Sequence, residues 1–136
     1  MTPRYHIDAN ILLRFLRNDD PKQSPAAAAL FANAKEGKLR LAISAVTVAE
    51  AFYVLARVYK HTKPDAASKL IPLLQSEVVD VDGRSCVINA LQRVIKANVD
   101  FGDGFLASTA AEQGEKIASF DADLQLFSDV TTLIPT

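Results

Sequence analysis

Apolar and polar positions alternate along this chain with two periods, and their order predicts an α/β domain. Tyr5 to Ile7 is a short β-prone run, followed by Ile11, Leu12, Phe15 and Leu16 at helical spacing behind Asp8, a residue able to cap that helix. Asn18-Asp19-Asp20-Pro21 is a turn signal, since proline disfavours helix in the residue before it. An alanine-rich helix is predicted from about Lys22 to Lys35, stopping near Gly37. Leu39 to Ile43 reads as the second strand, and Ser44 as the cap of a helix from Ala45 to about Tyr59. Pro64-Asp65 opens a helix through Leu74, Val78 to Val81 is the third strand, and Ser85 to Ala97 is helical with Val87, Leu91, Val94 and Ile95 on one side. A helix from Asp103 to Gln113 ends at Gly114, and Lys116 to Phe120 and Thr131 to Ile134 are the last two strands. Alternating strands and helices imply a parallel sheet of four to five strands covered by helices on both faces, a three-layer α/β/α arrangement. The 136 residues suit one domain, with no repeat or linker.

Composition narrows the chemistry more by exclusion than by assertion. The single cysteine, Cys86, has no partner for an internal disulfide and sits beside Val87 and Ile88, which favours an inert buried thiol over a nucleophile. Met1 to His6 lacks the apolar run of a secretory signal, and no uncharged stretch approaches the roughly 20 residues that span a bilayer, so a cytoplasmic protein without membrane attachment is expected. The net charge of −1 does not by itself call for a nucleic-acid partner. Between Arg57 and Lys69, however, Arg57, Lys60, Lys63 and Lys69 stand against Asp65 alone, a modest basic block that is equally a solvated helix face.

Four acids draw attention by position. Asp8 directly follows the first strand, Asp121 directly follows the fourth, and Asp103 opens the helix leading into that fourth strand. Parallel sheets bind ligands at the carboxyl ends of their strands, and right-handed crossovers return such helix starts to that edge. Glu50 lies within Val46-Thr47-Val48-Ala49-Glu50-Ala51-Phe52-Tyr53-Val54-Leu55, the most apolar helix, with no basic residue one turn away. A carboxylate buried there would need water or a cation, which points to a metal pocket. Clustered carboxylates repel, and Mg²⁺ or Mn²⁺, which take oxygen ligands, relieves that repulsion and activates water at a phosphodiester. Each acid also has a plain alternative: Asp8 as a helix cap, Asp103 as a first-turn acid with Asp100 as the actual cap, Asp121 and Asp123 as turn residues. His6, His61 and Cys86 make a poor zinc site and offer no evident nucleophile–base pair.

The segments Ile7-Asp8-Ala9-Asn10-Ile11-Leu12-Leu13-Arg14, Ile43-Ser44 through Val48-Ala49-Glu50, Val99-Asp100-Phe101-Gly102-Asp103-Gly104-Phe105-Leu106-Ala107 and Ala118-Ser119-Phe120-Asp121-Ala122-Asp123-Leu124 together resemble the PIN-domain family, and within it the VapC toxins of toxin–antitoxin pairs. The resemblance implies an α/β/α endoribonuclease dependent on Mg²⁺ or Mn²⁺. Asp8 and Asp103 would be its principal metal ligands, and Glu50 and Asp121 would complete the acidic pocket. It further implies RNA as substrate, a homodimer and a small cognate antitoxin. Asn10, Ser44, Thr47 and Ser119 lie beside the matched acids as supporting residues, with Asp100 and Asp123 as alternative contributors and Arg14 as a candidate substrate contact. Gly104 departs from the family pattern, where alanine is more usual. Two other classes remain open from sequence: a catalytically inactive protein-binding module of the same fold, and a receiver-like signalling domain with Asp80 or Asp82 as phosphoacceptor.

Overall fold

The computed structural model describes residues 1–136. Strand β1 (Arg4–His6) leads into helix α1 (Ala9–Arg17), α2 (Gln23–Lys35), β2 (Arg40–Ile43) and α3 (Ala45–Tyr53), which continues as a π turn over Val54–Val58. Then come α4 (Lys63–Gln75), β3 (Val79–Val81), α5 (Arg84–Ala97), α6 (Phe101–Gln113), β4 (Ile117–Ala118), a 3-10 turn (Ala122–Leu126) and β5 (Thr132–Leu133). The helix ends carry the expected chemistry. Asp8, Ser44 and Thr62 accept from the backbone N–H groups of Ile11, Thr47 and Asp65, and Gly114 closes α6 in the left-handed conformation.

All five expected strands form, and all their pairings are parallel, but they form two sheets rather than one. β2 lies between β1 and β3, with Tyr5 opposite Leu41 and Leu41 opposite Val79, while β4 pairs only with β5. The polarity of β1 accounts for its place at an edge. Arg4 and His6 alternate with Tyr5, and all three side chains are exposed, a pattern suited to a strand that borders a sheet rather than one enclosed in its middle.

One core of 28 buried residues runs through the domain, from Ile7 and Leu12 through Val48, Phe52, Leu70 and Val79 to Leu91, Phe101, Leu124 and Val130. Phe52 of α3 faces Phe101 at the start of α6, with ring centroids 6.3 Å apart. That contact ties the start of α6 to the centre of the molecule. Helices α5 and α6 pack closely enough that a Cβ on Gly104 would lie 2.6 Å from the carbonyl oxygen of Ala90. The C-terminal segment is held by Arg93, whose guanidinium donates to both carboxylate oxygens of Asp129 (2.9 and 2.6 Å), to Asn89 Oδ1 and to Ser108 Oγ. The π turn was not foreseen in the apolar pattern. Its wide turn, closed by the Tyr59 N–H on the Val54 carbonyl, ends the long helix before Tyr59.

Candidate metal centre

Asp103, Asp121 and Asp123 bring carboxylate oxygens within 4.8 Å of one another. Their convergence has local causes. Asp103 lies in the first turn of α6, whose start is anchored by buried Phe101. Asp121 leaves β4 at the start of the 3-10 turn, where its Oδ1 accepts from the Asp123 N–H at 2.9 Å. Ser119 Oγ in turn accepts from the Asp121 N–H at 2.9 Å. The turn therefore presents two acids together, with one Asp121 oxygen used to shape it. This is the turn-residue reading of Asp121, and it coexists with clustering.

Asp103 is the partly buried member and carries the electrostatic strain of the group. Burial raises its carboxyl above the usual carboxylate range, and the neighbouring charges of Asp121, Asp100 and Asp123 raise it further, with Lys63 alone opposing them. Asp100 occupies the cap position of α6 but makes no capping hydrogen bond. Its Oδ1 lies 3.4 Å from Lys63 Nζ instead. Three oxygen-bearing ligands, one partly desolvated, are a donor set for a hard divalent cation of the Mg²⁺ or Mn²⁺ type. The residues fit such an ion.

The other nominated acids stand differently. Asp8 is exposed and caps α1, its Oδ1 accepting from the Ile11 N–H at 3.1 Å; it is not part of the 4.8 Å grouping. Glu50 is also outside the grouping, and it is exposed. The desolvation argument for Glu50 therefore fails. The buried stripe of α3 is Val48, Ala51 and Phe52, which leaves Val46 (68% exposed), Glu50 and Tyr53 on the outer side. A hydrated carboxylate needs no cation. The apolar run concealed this because some of its large residues face outward.

Supporting residues fall into separate groups. Ser44 caps α3, and Thr47 Oγ1 donates to the Ile7 carbonyl at 3.5 Å, linking α3 to the end of the first strand. Asn10 and Arg14 both donate to Gln23 Oε1, and Arg14 lies 3.9 Å from each of Asp19 and Asp20, so both side chains are engaged with α2 and its preceding turn. Asp80 is held by two hydrogen bonds from Arg40 (3.0 and 2.7 Å) and one from Arg4, and the Arg40 bonds lead in lowering its carboxyl. That engagement counts against a phosphoacceptor role. Cys86 is half-buried, and burial pushes its thiol up, away from the reactive thiolate. The basic block does contribute at the acids, through Lys63. Sequence spacing had not linked Lys63 to Asp100, because nothing local shows that α4 and α6 start side by side.

A cavity of about 530 Å³ contains none of these acids; it is an apolar groove among Phe15, Leu16, Phe31, Pro72 and Leu73, bordered by Lys35 and Lys69. No helix is long and apolar enough to cross a membrane. The family model of the PIN domain matches residues 5–131. No curated protein matches the chain.

Proposed function

The chain belongs to the PIN-domain family, a nuclease superfamily, and from that premise we propose that it is a Mg²⁺- or Mn²⁺-dependent endoribonuclease, the toxin of a toxin–antitoxin pair. The observation that carries this reading is the convergence of Asp103, Asp121 and Asp123 from two distant segments, with Asp103 partly buried among like charges. Such an arrangement is unfavourable without a cation, and a divalent ion relieves it.

In this reading Asp103, Asp121 and Asp123 hold the ion. The family resemblance makes Asp8 a further principal ligand and Glu50 a further member of the pocket; both lie outside the three-acid grouping, and substitution measures what each contributes. A divalent ion held there would supply Lewis-acid chemistry, activating water and polarising the phosphoryl group. The protein's own part is positional. Asp103 is fixed by the α5–α6 contact and the Phe101 anchor, while Ser119 and the 3-10 turn fix Asp121. A carboxylate oxygen of the cluster left free of the ion would take one proton from the attacking water, and that proton would return to the leaving oxygen, so that the phosphodiester and water end as a phosphate monoester and an alcohol.

The partner calls have supporting surfaces. The groove of about 530 Å³ is lined by apolar side chains and flanked by Lys35 and Lys69, which suits an amphipathic antitoxin helix with acidic flanks. The outward residues Val46, Tyr53 and Val58 give α3 and the π turn an exposed apolar stripe that supports homodimerisation.

Calorimetric titration with Mn²⁺, paired with cleavage of RNA by wild type and Asp103→Asn, tests the proposal. It predicts stoichiometric binding and cleavage by the wild type and neither by the variant. Absence of metal binding by the wild type, with the fold intact, would favour the inactive protein-binding alternative.

A further inference from the structure

An acidic centre that handles a polyanion faces a charge problem, and Lys63 is placed to resolve it. Asp100, Asp103, Asp121 and Asp123 carry four negative charges when ionised, so one divalent cation leaves a net negative site for an approaching phosphodiester. Lys63 is the only cation among the charges that act on Asp103. It is the first residue of α4, held in place because Thr62 caps that helix and Pro64 follows. Its ammonium lies 3.4 Å from Asp100 Oδ1, with both side chains about 40% exposed (40% and 39%).

Two features indicate that this pair is more than a surface ion bridge. Asp100 occupies the cap position of α6, where an aspartate ordinarily stabilises the helix by accepting from its free N–H groups. It forgoes that bond and turns its carboxylate to Lys63. The Lys63 side chain is also 40% exposed rather than enclosed, which leaves it able to exchange Asp100 for another anion.

Resting on the nuclease reading above, we propose that Lys63 anchors the RNA strand at the acidic centre, its ammonium exchanging Asp100 for a backbone phosphate. Asp100 then serves as the resting partner that keeps Lys63 extended towards Asp103 before substrate arrives. Two more cations precede Lys63 in the chain: Lys60, three residues upstream in the left-handed conformation, and Arg57, which lies over the Tyr53 ring at 5.1 Å.

The test compares wild type, Lys63→Ala, Lys63→Arg and Lys38→Ala, the last removing an exposed lysine paired with Glu36. Binding of a short fluorescein-labelled single-stranded RNA is followed by anisotropy in Ca²⁺ across a salt series, Mn²⁺ affinity by calorimetry, and cleavage by kcat and KM. Lys63→Ala should weaken RNA binding about five- to tenfold and lower the salt slope by roughly 0.7. It should raise KM more than it lowers kcat, and leave Mn²⁺ affinity unchanged or tighter. Lys63→Arg should recover most of the loss, and Lys38→Ala should show none. Wild-type RNA affinity and slope in Lys63→Ala would overturn the role of Lys63 alone. A loss of RNA binding that merely follows a loss of Mn²⁺ affinity would overturn it too, by making Lys63 a support of the metal centre. Failure of the wild type to bind RNA would overturn the nuclease reading and this proposal together.

Discussion

Replacing Gly104 by alanine probes how the first turn of α6, and Asp103 with it, is held in place. In a helix, alanine is favoured over glycine by up to about 1 kcal/mol, less at a helix start, so propensity alone predicts a more stable protein. The packing predicts the reverse. The added Cβ would lie 2.6 Å from the Ala90 carbonyl oxygen, 3.4 Å from its carbon and 3.5 Å from Val94 Cγ2. The oxygen contact is short by roughly 0.8 Å, and the obstacle is backbone of α5 rather than a side chain that can rotate away. Overpacking of this kind costs about 1–3 kcal/mol. Subtracting a propensity gain of about 0.5 kcal/mol at a helix start leaves a net loss of about 0.5–2.5 kcal/mol, a fall in Tm of about 2–10 °C for a chain of this size. Gly102→Ala is the matched control, since it lies in the same helical turn and its added Cβ would meet nothing within 4 Å. Thermal and urea unfolding followed by circular dichroism would measure both. A Gly104→Ala protein as stable as wild type, or equal destabilisation by the two substitutions, would refute the close-packing argument.

Further perturbations address charge and anchoring. Asp103 has a raised pKa in the folded protein, so folding favours its protonated form and its contribution to stability falls as pH rises from the ordinary carboxylate range through the raised value. Asp103→Asn should therefore raise Tm at neutral pH without metal, and the gain should shrink as pH falls through the raised value towards 3.8 and vanish well below it, where both states are protonated. Mn²⁺ at about 100 times its Kd should stabilise the wild type by about 2.7 kcal/mol and leave Asp103→Asn unmoved, as read by metal-dependent melting. Arg93→Ala removes the four donated hydrogen bonds and a cation–π contact to Phe127 at 5.0 Å, and should cost about 2–4 kcal/mol in urea unfolding. Asp129 has a lowered pKa, led by the Arg93 bond, so the stability from that pair is present above the ordinary carboxylate pKa and lost as pH falls through the lowered one. A wild-type acid profile in Arg93→Ala would count against that assignment. Glu50→Gln should leave metal-free stability within about 0.5 kcal/mol of wild type, as suits an exposed side chain.

Most elements could be read from local pattern because their causes are local. The capping roles of Asp8 and Ser44 and the glycine stop at Gly114 are each set within a few residues, and the observed helices begin and end close to them. What escaped depends on contacts between distant segments. The apolar run around Glu50 reads as buried, yet which side of α3 faces the core is decided by Phe101 and the rest of the interior. The strands divide into two sheets, with β1 and β3 as the edges of one and β4 paired only with β5, a choice that β-propensity does not reveal. Gly104, where the family pattern more usually has alanine, is a close-approach residue against the backbone of α5. At the site, sequence position points to four acids, of which Asp103 and Asp121 converge while Asp8 and Glu50 lie outside the grouping. Asp123 was named only as an ambiguity, and Lys63 only as part of a charge block.

The central claim is that Asp103, Asp121 and Asp123 together bind one hard divalent cation. Anomalous diffraction from crystals soaked in Mn²⁺ tests it most directly. The account predicts a single strong peak about 2.0–2.3 Å from carboxylate oxygens of these three residues, and its loss in Asp103→Asn crystals. A peak elsewhere, or none at saturating Mn²⁺ with the three carboxylates in place, would contradict it.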